Sequence, residues 1–266
     1  MSAYSIHLGL NAVDATRYNG WGGELTACEF DAQDMASIAR ACGYRTTTLL
    51  TASATSAAVL GLLRQFAAAL RGGDRLLLTF AGHGAQIRDL NGDEDDAADE
   101  TIVLYDRMLI DDEIYAALCR FARGVQVVVV SDSCHSGTVL RLGPPAATAP
   151  GATPRSMPRA LAQAVLRDHA RAYARARAQT FGATIADPVC DGLLMSACKD
   201  SQLAMDGDRN GLFTGTLKRI WAGGSFAGSY ADAVRASRAL MPTYQSPGLM
   251  KVGSPATPIE LGRLFA

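Results

Sequence analysis

The 266-residue sequence has almost no net charge, because 25 lysines and arginines nearly balance 26 aspartates and glutamates. It therefore lacks the basic surface expected of proteins that bind nucleic acid or anionic membranes. It also lacks any run of about 18 apolar residues, so no membrane span is expected. Residues 1–14 have neither the basic region nor the apolar core of a secretory signal. These absences predict a cytoplasmic protein that acts on neither nucleic acid nor membranes.

Cysteine pairs are missing as well. The six cysteines include no Cys-x-x-Cys spacing, which argues against a zinc site. A domain of this length does not need disulfides, and without an export signal the thiols are expected to stay reduced. Most should be small core residues. Cys134 differs from the others because its sequence neighbours are polar.

The sequence does contain an alternation of short apolar runs and longer segments with helical spacing. Apolar residues make up 48% of the chain, enough for a sizeable core. Strands alternating with helices favour parallel pairing, and continuous apolar runs suit strands covered on both faces. We therefore predict an α/β fold with a mostly parallel central sheet flanked by helices on both faces. The predicted strands are 4–10, 44–50, 75–81, 125–130 and 192–198, and the predicted helices are 27–43, 55–73, 111–124, 211–221 and 229–241.

One long segment, residues 141–187, interrupts this alternation. Its first half is rich in Pro, Ala, Thr and Gly, which is typical of a flexible loop, and its second half is helix-prone and rich in arginine. A connection of this length inside a compact domain is usually functional or disordered. We interpret the whole chain, 1–266, as a single domain. The linker would join a larger front part, 1–140, to a smaller back part, 188–266.

Reactive side chains follow two of the predicted strands. His83 and Gly84 come after the strand at 75–81, and Cys134 comes after the strand at 125–130. The carboxyl ends of parallel strands share one edge of a sheet, so neighbouring strands would bring the imidazole to the thiol. The imidazole can accept the thiol proton and later deliver it to a leaving amine. The backbone N–H groups of Gly84 and Cys134 are candidates for an oxyanion hole.

A cysteine after a strand is usually a core residue, and a His-Gly pair after a strand is usually an ordinary turn. Together, at two strand ends of one sheet, they favour a catalytic dyad. They resemble the motifs of caspase-like cysteine peptidases, most closely those of prokaryotic metacaspases, also called orthocaspases. The histidine of FAGHGAQ and the cysteine of DSCHSG are 51 positions apart (134 − 83 = 51). The resemblance covers most of the chain and includes ACEFDA at 27–32, the acidic stretch at 89–106, IDDE at 110–113, LLMSACKDSQLAMD at 193–206 and NGLFTGTL at 210–217.

This resemblance implies a caspase-like fold and hydrolysis of peptide bonds after Arg or Lys, with His83 and Cys134 as the dyad. It also implies that Asp31 and Asp132 line the pocket for the basic side chain. Two carboxylates can hold a guanidinium through charge-assisted, bidentate hydrogen bonds. The expected partners are proteins or peptides with basic residues, and the protein is expected to be a monomer.

The resemblance also raises the question of calcium. Calcium-dependent members of the family use acidic residues that match Asp99, Asp111 and Asp112, together with an aspartate seven residues after the catalytic cysteine. Arg141 stands at that last position here. A guanidinium cannot ligate calcium and repels it. We therefore expect no cofactor, with Arg141 taking over the neutralising role; a weakened calcium site is the alternative.

Two acidic loops match the EF-hand pattern only in part. The loop at 89–100 has Glu94 in place of the required glycine, and the loop that begins at 206 has Leu217 in place of the final glutamate. Both are interpreted as solvated loops.

The linker is a candidate for proteolytic processing. An enzyme that cuts after arginine would find several accessible targets in it. We hypothesise a zymogen whose linker covers or distorts the active site until it is cut, either by the enzyme itself or by an upstream activating protease. A harmless surface insertion is the alternative. The candidate processing sites are Arg155, Arg159, Arg167, Arg171, Arg175 and Arg177.

Two other functions stay open. One is a peptidase of the same clan with a different specificity, against which Asp31 and Asp132 argue. The other is a catalytically inactive caspase-like regulatory or adaptor protein, against which the presence of both dyad residues argues.

Overall fold

The computed structural model describes residues 1–88, 98–134, 153–181, 188–199, 202–253 and 258–266. Nine strands lie in these residues: β1 (Ala3–Gly9), β2 (Arg45–Leu50), β3 (Arg75–Ala81), β4 (Gly84–Arg88), β5 (Ala98–Val103), β6 (Met108–Ile110), β7 (Gln126–Asp132), β8 (Asp191–Ser196) and β9 (Gly248–Val252). Six of them form a central sheet in the order β2-β1-β3-β7-β8-β9.

The central sheet is parallel except at one edge. Every neighbouring pair from β2 to β8 is parallel, and β9 pairs antiparallel with β8. The prediction of a mostly parallel sheet is confirmed, although β9 was not predicted. Between β3 and β7 the register places Ala81 beside Asp132. The segments that follow these two strands therefore leave the sheet side by side.

Seven helices lie in the described residues: α1 (Cys28–Ala41), α2 (Ser56–Ala69), α3 (Asp111–Leu118), α4 (Arg159–Asp168), α5 (Ala170–Phe181), α6 (Leu212–Trp221) and α7 (Tyr230–Leu240). Local sequence explains where some of them begin. Thr55 accepts a hydrogen bond from the backbone of Ala58 at the start of α2, and Ser229 forms a capping box with Asp232 in α7. In this part of the chain, no helix has both the length and the hydropathy needed to cross a membrane.

The two faces of the sheet bury separate apolar cores. Successive strand residues point to opposite faces, so Leu77 packs with one core while Leu76 and Leu78 pack with the other. Residues of α1, α6 and α7 complete the first core, and residues of α2 and α3 complete the second. The expected helices on both faces are therefore present, and they explain the continuous apolar runs at 76–78 and 127–130.

A second, antiparallel sheet with the order β4-β5-β6 was not predicted. Its middle strand lies in the acidic stretch at 89–106, where only a short run of β-branched residues, Thr101 to Val103, signals a strand. The helix-prone half of the linker packs on this sheet. Met157, Ala162, Val165 and Tyr173 share a buried cluster with residues of β4, β5 and β6.

Candidate active site

The carboxyl ends of β3 and β7 hold the two residues predicted to react. His83 follows β3 by two residues, and Cys134 follows β7 by two; their exposed fractions are 6% and 0%. Gly84 lies against the backbone of Cys134, since a Cβ atom at Gly84 would be 1.7 Å from the Cys134 carbonyl oxygen. Only glycine allows this contact, which brings the two strand ends together.

His83 is held by neighbours from the loop after β1. Its Nε2 donates a hydrogen bond to the carbonyl oxygen of Gly23 at 3.1 Å, and its ring centroid lies 4.8 Å from that of Trp21. Because a carbonyl only accepts, Nε2 carries the proton. Nδ1 is buried and has no hydrogen-bond partner among the described residues. Burial lowers the pKa of His83 to about 4, so at neutral pH the imidazole is uncharged and Nδ1 is able to accept a proton.

The thiol of Cys134 is hydrogen-bonded to Ala204, in the segment that follows β8, and not to His83. Its Sγ accepts the N–H of Ala204 at 2.9 Å and lies 3.3 Å from the Ala204 carbonyl oxygen. No hydrogen bond joins the thiol to His83 in the described part of the chain. Burial raises the pKa of Cys134 well above its ordinary value, so the thiol is protonated. The structure places the two residues at adjacent strand ends but leaves the dyad unformed.

Beside the thiol, a buried arginine from the linker fills a pocket of three carboxylates. The guanidinium of Arg155 lies 2.5 Å from Asp31 Oδ2, 3.1 Å from Asp132 Oδ2 and 2.9 Å from Asp206 Oδ1. The Arg155 side chain is 0% exposed. The two aspartates named in the sequence analysis thus lie together around an arginine. Asp206 is a third member that sequence reasoning missed.

The start of helix α6 orients two of these carboxylates. Asp31 accepts the backbone N–H of Gly211 at 3.1 Å, and Asp132 accepts the N–H and the hydroxyl of Thr214 at 2.9 and 2.7 Å. The N-terminus of a helix offers unpaired N–H groups, and here they bond to the two carboxylates.

The third carboxylate is fixed by the loop before α1. Oδ2 of Asp206 accepts the backbone N–H of Thr26 at 2.8 Å and its hydroxyl at 3.0 Å. The interpretation of the loop at 206 as solvated is therefore wrong for Asp206, which is buried. A partial EF-hand match gives no information about a partner 180 residues away in sequence.

Asp31, Asp132 and Asp206 form a pocket that we call the arginine pocket. Three carboxylates around one guanidinium give this pocket an excess of negative charge. Burial raises the pKa of Asp31 to about 6 even though Arg155 opposes the shift. Burial would also raise the pKa of Asp206, but the charge of Arg155 and the bonds from Thr26 outweigh it and leave this pKa below its ordinary value. Such a pocket requires a cation, because unpaired buried charges are costly.

The carbonyl group of Arg155 is bound as specifically as its side chain. Its oxygen accepts two hydrogen bonds, from the N–H of Gly84 at 3.0 Å and from the N–H of Cys134 at 3.1 Å. These are the two N–H groups named in the sequence analysis as oxyanion donors. The carbonyl oxygen of Arg155 therefore occupies the position where an oxyanion would be stabilised.

The main chain forms an isolated β-bridge on each side of Arg155, and it bends at Arg155 itself. Before it, Pro154 forms an antiparallel bridge with Met205; after it, Ser156 forms a parallel bridge with Gly84. The N–H of Arg155 itself donates to Ala204 at 2.9 Å. Peptides bound by strand addition make the same pattern of main-chain bonds.

The other predicted processing sites differ from Arg155 in their backbone. They lie in helices, whereas Arg155 lies between two isolated β-bridges. Arg159 and Arg167 belong to α4, and Arg171, Arg175 and Arg177 belong to α5.

The calcium candidates lie on the second sheet and the helix that follows it. Asp99 is on β5, and Asp111 and Asp112 open α3. Burial raises the pKa of Asp111 to about 7, and the negative charges of Asp112 and Asp99 contribute. Within the described ranges, no group of three or more His, Cys, Asp or Glu side chains is arranged to hold a metal ion. Arg141 lies outside the described residues.

Gly211 is a further pocket residue that the sequence did not single out. A Cβ atom there would lie 2.4 Å from Nη1 of Arg155 and 2.6 Å from Oδ2 of Asp132. Its backbone angles, φ −58° and ψ 154°, are open to any residue. Glycine is therefore needed for space and not for conformation.

A mostly parallel sheet with a histidine and a cysteine at the ends of adjacent strands agrees with the caspase-like α/β fold of the cysteine peptidases that the motifs resemble. The caspase domain model of the C14 peptidases matches residues 12–254. The chain belongs to this family, as the motif resemblance implied.

The relatives found are metacaspases. Metacaspase-1 of Mycosarcoma maydis is 34% identical over 139 residues, which are 47% of this chain and 35% of that protein. Metacaspase-1 of Arabidopsis thaliana is 45% identical over 75 residues, 26% of this chain and 20% of that protein. The matched stretches thus span about a third or less of these relatives' own length.

Two solved structures extend the comparison to nearly the whole chain. The crystal structure of protein GSU0716 from Geobacter sulfurreducens is 43% identical, with a TM-score of 0.89, and the match covers 100% of this chain and 98% of that one. The structure of caspase-1 from Spodoptera frugiperda has a TM-score of 0.55 at 9% identity, covering 93% and 85% of the two chains. The second match concerns the fold alone and confirms the predicted caspase-like architecture.

Proposed function

We propose that this protein is a cysteine endopeptidase that cleaves peptide bonds after arginine and is kept latent by its own linker. One observation carries the proposal: Arg155 has its side chain in the arginine pocket and its carbonyl oxygen on the N–H groups of Gly84 and Cys134. A substrate needs both contacts at once, because the first selects the residue and the second stabilises the tetrahedral intermediate.

In this mechanism Nδ1 of His83 accepts the proton of the Cys134 thiol. The thiolate attacks the carbonyl carbon of the bound arginine, and the N–H groups of Gly84 and Cys134 stabilise the oxyanion. His83 then delivers the proton to the leaving amine, and water hydrolyses the thioester. The thiol must first break its hydrogen bonds with Ala204, which it makes in this conformation.

Latency follows from what holds the linker in place. On one side of Arg155, Pro154 pairs with Met205; on the other, helices α4 and α5 are anchored by apolar contacts on the second sheet. The thiol of Cys134 is engaged in hydrogen bonds with Ala204. The proposed zymogen is activated when the bond between Arg155 and Ser156 is cut, by the enzyme itself or by an upstream protease.

Peptide hydrolysis tests the proposed activity. The activated protein is expected to cleave a fluorogenic peptide with arginine before the reporter and to leave an aspartate peptide intact. Cys134→Ala should have no activity, whereas Cys42→Ala, which changes a thiol at the end of α1, should match the wild type. Equal cleavage of the aspartate peptide would refute the specificity. Absence of all cleavage, even after the linker has been cut, would favour the inactive regulatory alternative.

Mapping the processing site tests the proposed latency. Mass spectrometry of the incubated wild type should find a fragment that ends at Arg155 and its partner that begins at Ser156. Cys134→Ala should stay intact alone, and Arg155→Ala should lose this cut. Arg171→Ala is the matched control, because Arg171 is exposed on α5. A first cut at Arg171 or another helical arginine would contradict the assignment.

We also propose that the activity needs no calcium, since Arg141 replaces an acidic ligand. The expected result is that excess chelator changes the hydrolysis rate by less than about twofold. Complete loss of activity with chelator, restored by calcium, would refute this.

A further inference from the structure

Asp206 faces the part of an arginine side chain that lysine does not have. Its Oδ1 accepts the Nε–H of Arg155 at 3.2 Å and the Nη2–H at 2.9 Å. Lysine has a methylene group at the position of Nε and so offers no donor there. From this geometry we infer that Asp206 selects arginine over lysine before the cleaved bond, an inference that rests on the proposed function.

The other two carboxylates do not make this distinction. Asp31 and Asp132 contact the terminal nitrogens of Arg155, Nη2 and Nη1. Their charges attract the end of any basic side chain, ammonium or guanidinium. Asp206 instead accepts hydrogen bonds from Nε and from a terminal nitrogen together, and only a guanidinium offers these two donors side by side.

The Asp206 carboxylate is also held in one position, so it cannot turn toward the ammonium group of a bound lysine. Its Oδ2 is fixed by the N–H and the hydroxyl of Thr26, and its own backbone N–H donates to the carbonyl of Thr153 at 2.8 Å. Rotation of the carboxylate toward a lysine ammonium would break the bonds with Thr26. The selectivity therefore comes from a charge held in one position.

Asp206→Asn converts this acceptor into a donor without changing its shape. The backbone N–H of Thr26 needs an acceptor, so the amide oxygen of asparagine takes that side and the amide NH2 turns toward the guanidinium. Donor would then face donor for arginine, but only methylene for lysine. We expect kcat/KM for an arginine peptide to fall about 30-fold and that for the matched lysine peptide about threefold. The ratio of the two should then fall about tenfold.

Both peptides are measured on the same preparation, so the ratio does not depend on the fraction of activated enzyme. Asp208→Asn is the matched control, because Asp208 is exposed two residues further on and the charge change is the same. Thr26→Val removes the hydroxyl that bonds to Asp206 and to the Gly207 carbonyl but keeps the backbone N–H bond to Asp206, and it should lower the ratio in the same direction by a smaller factor. It also provides the test if Asp206→Asn fails to fold.

The outcomes separate the inference from the function beneath it. An unchanged arginine-to-lysine ratio in both Asp206→Asn and Thr26→Val, with arginine cleavage intact in the wild type, overturns the role of Asp206 alone. A wild type that cleaves neither peptide after linker cleavage overturns the proposed function and the inference with it. A drop of the ratio in Asp206→Asn that does not occur in Asp208→Asn supports both.

Discussion

Replacement of Arg155 by alanine is expected to lower the free energy of unfolding by about 3 kcal/mol at pH 7.5. The guanidinium is the cation that Asp31, Asp132 and Asp206 contact in the buried arginine pocket. Its removal leaves three carboxylates close together without a counter-charge. Removal of one partner from a buried ion pair costs more than the pair contributes, because the remaining charge stays desolvated. Urea denaturation followed by circular dichroism measures the difference.

The stability deficit of Arg155→Ala should depend on pH in a defined direction. Burial already raises the pKa of Asp31 to about 6, against the influence of Arg155, so loss of the guanidinium raises it further. A carboxyl whose pKa is higher in the folded state gives a stability contribution that is complete below its unfolded pKa and is lost as the pH rises through the folded pKa. The deficit should therefore shrink as the pH falls from 7.5 towards 5. A deficit that stays constant over this range would contradict the assignment of the three carboxylates.

Small guanidinium compounds should restore part of the lost stability. Agmatine carries the side chain of arginine without its carboxylate, so it can fill the pocket that Arg155→Ala leaves open. It is expected to raise the melting temperature of Arg155→Ala and not that of the wild type, whose pocket is occupied. Arg171→Ala serves as the matched control and should behave like the wild type in both measurements. Equal stabilisation of all three proteins would mean that agmatine binds elsewhere.

The central sheet could be predicted because its strands are encoded locally. Runs such as residues 76–78 and 127–130 are continuously apolar, and the helices between the strands have clear starts and stops. The small sheet escaped notice because the first half of its middle strand, Ala98–Val103, contains Asp99 and Glu100 and so lacks an apolar run. Local periodicity identifies strands that are buried on both faces better than short strands beside polar loops.

The candidate site was only partly accessible from sequence. His83 and Cys134 stand out because each follows a predicted strand, and Asp31 was named through the family resemblance. Nothing local distinguishes Arg155 from the five other candidate arginines, since its contact with Asp31 spans 124 residues of sequence. Asp206 was hidden for the same reason. Tertiary packing decides which residues line the arginine pocket, and the spacing of residues in the sequence does not predict that packing.

Gly211→Ala is expected to reduce kcat/KM for an arginine peptide by at least about 100-fold while the protein stays folded. The added methyl carbon would lie 2.4 Å from the guanidinium nitrogen Nη1 and 2.6 Å from Asp132 Oδ2. The guanidinium belongs to a flexible side chain and can leave, whereas Asp132 is held by Thr214. The substitution therefore expels the arginine, and the Asp132 carboxylate must also shift against its bonds with Thr214. Hydrolysis rates and a far-ultraviolet circular dichroism spectrum measure the two properties.

The substitution reduces the space in the arginine pocket and removes none of its charged groups. The backbone of Gly211 has angles that alanine adopts without strain, and its N–H can still donate to Asp31. Gly61→Ala is the matched control, because it adds the same methyl group on α2 at 4.0 Å from its nearest neighbour. The same methyl should also displace Arg155 from the resting protein, so Gly211→Ala should lose stability together with activity. Full activity on arginine peptides would mean that substrate arginine does not enter where Arg155 lies, and the linker would then be no guide to the substrate.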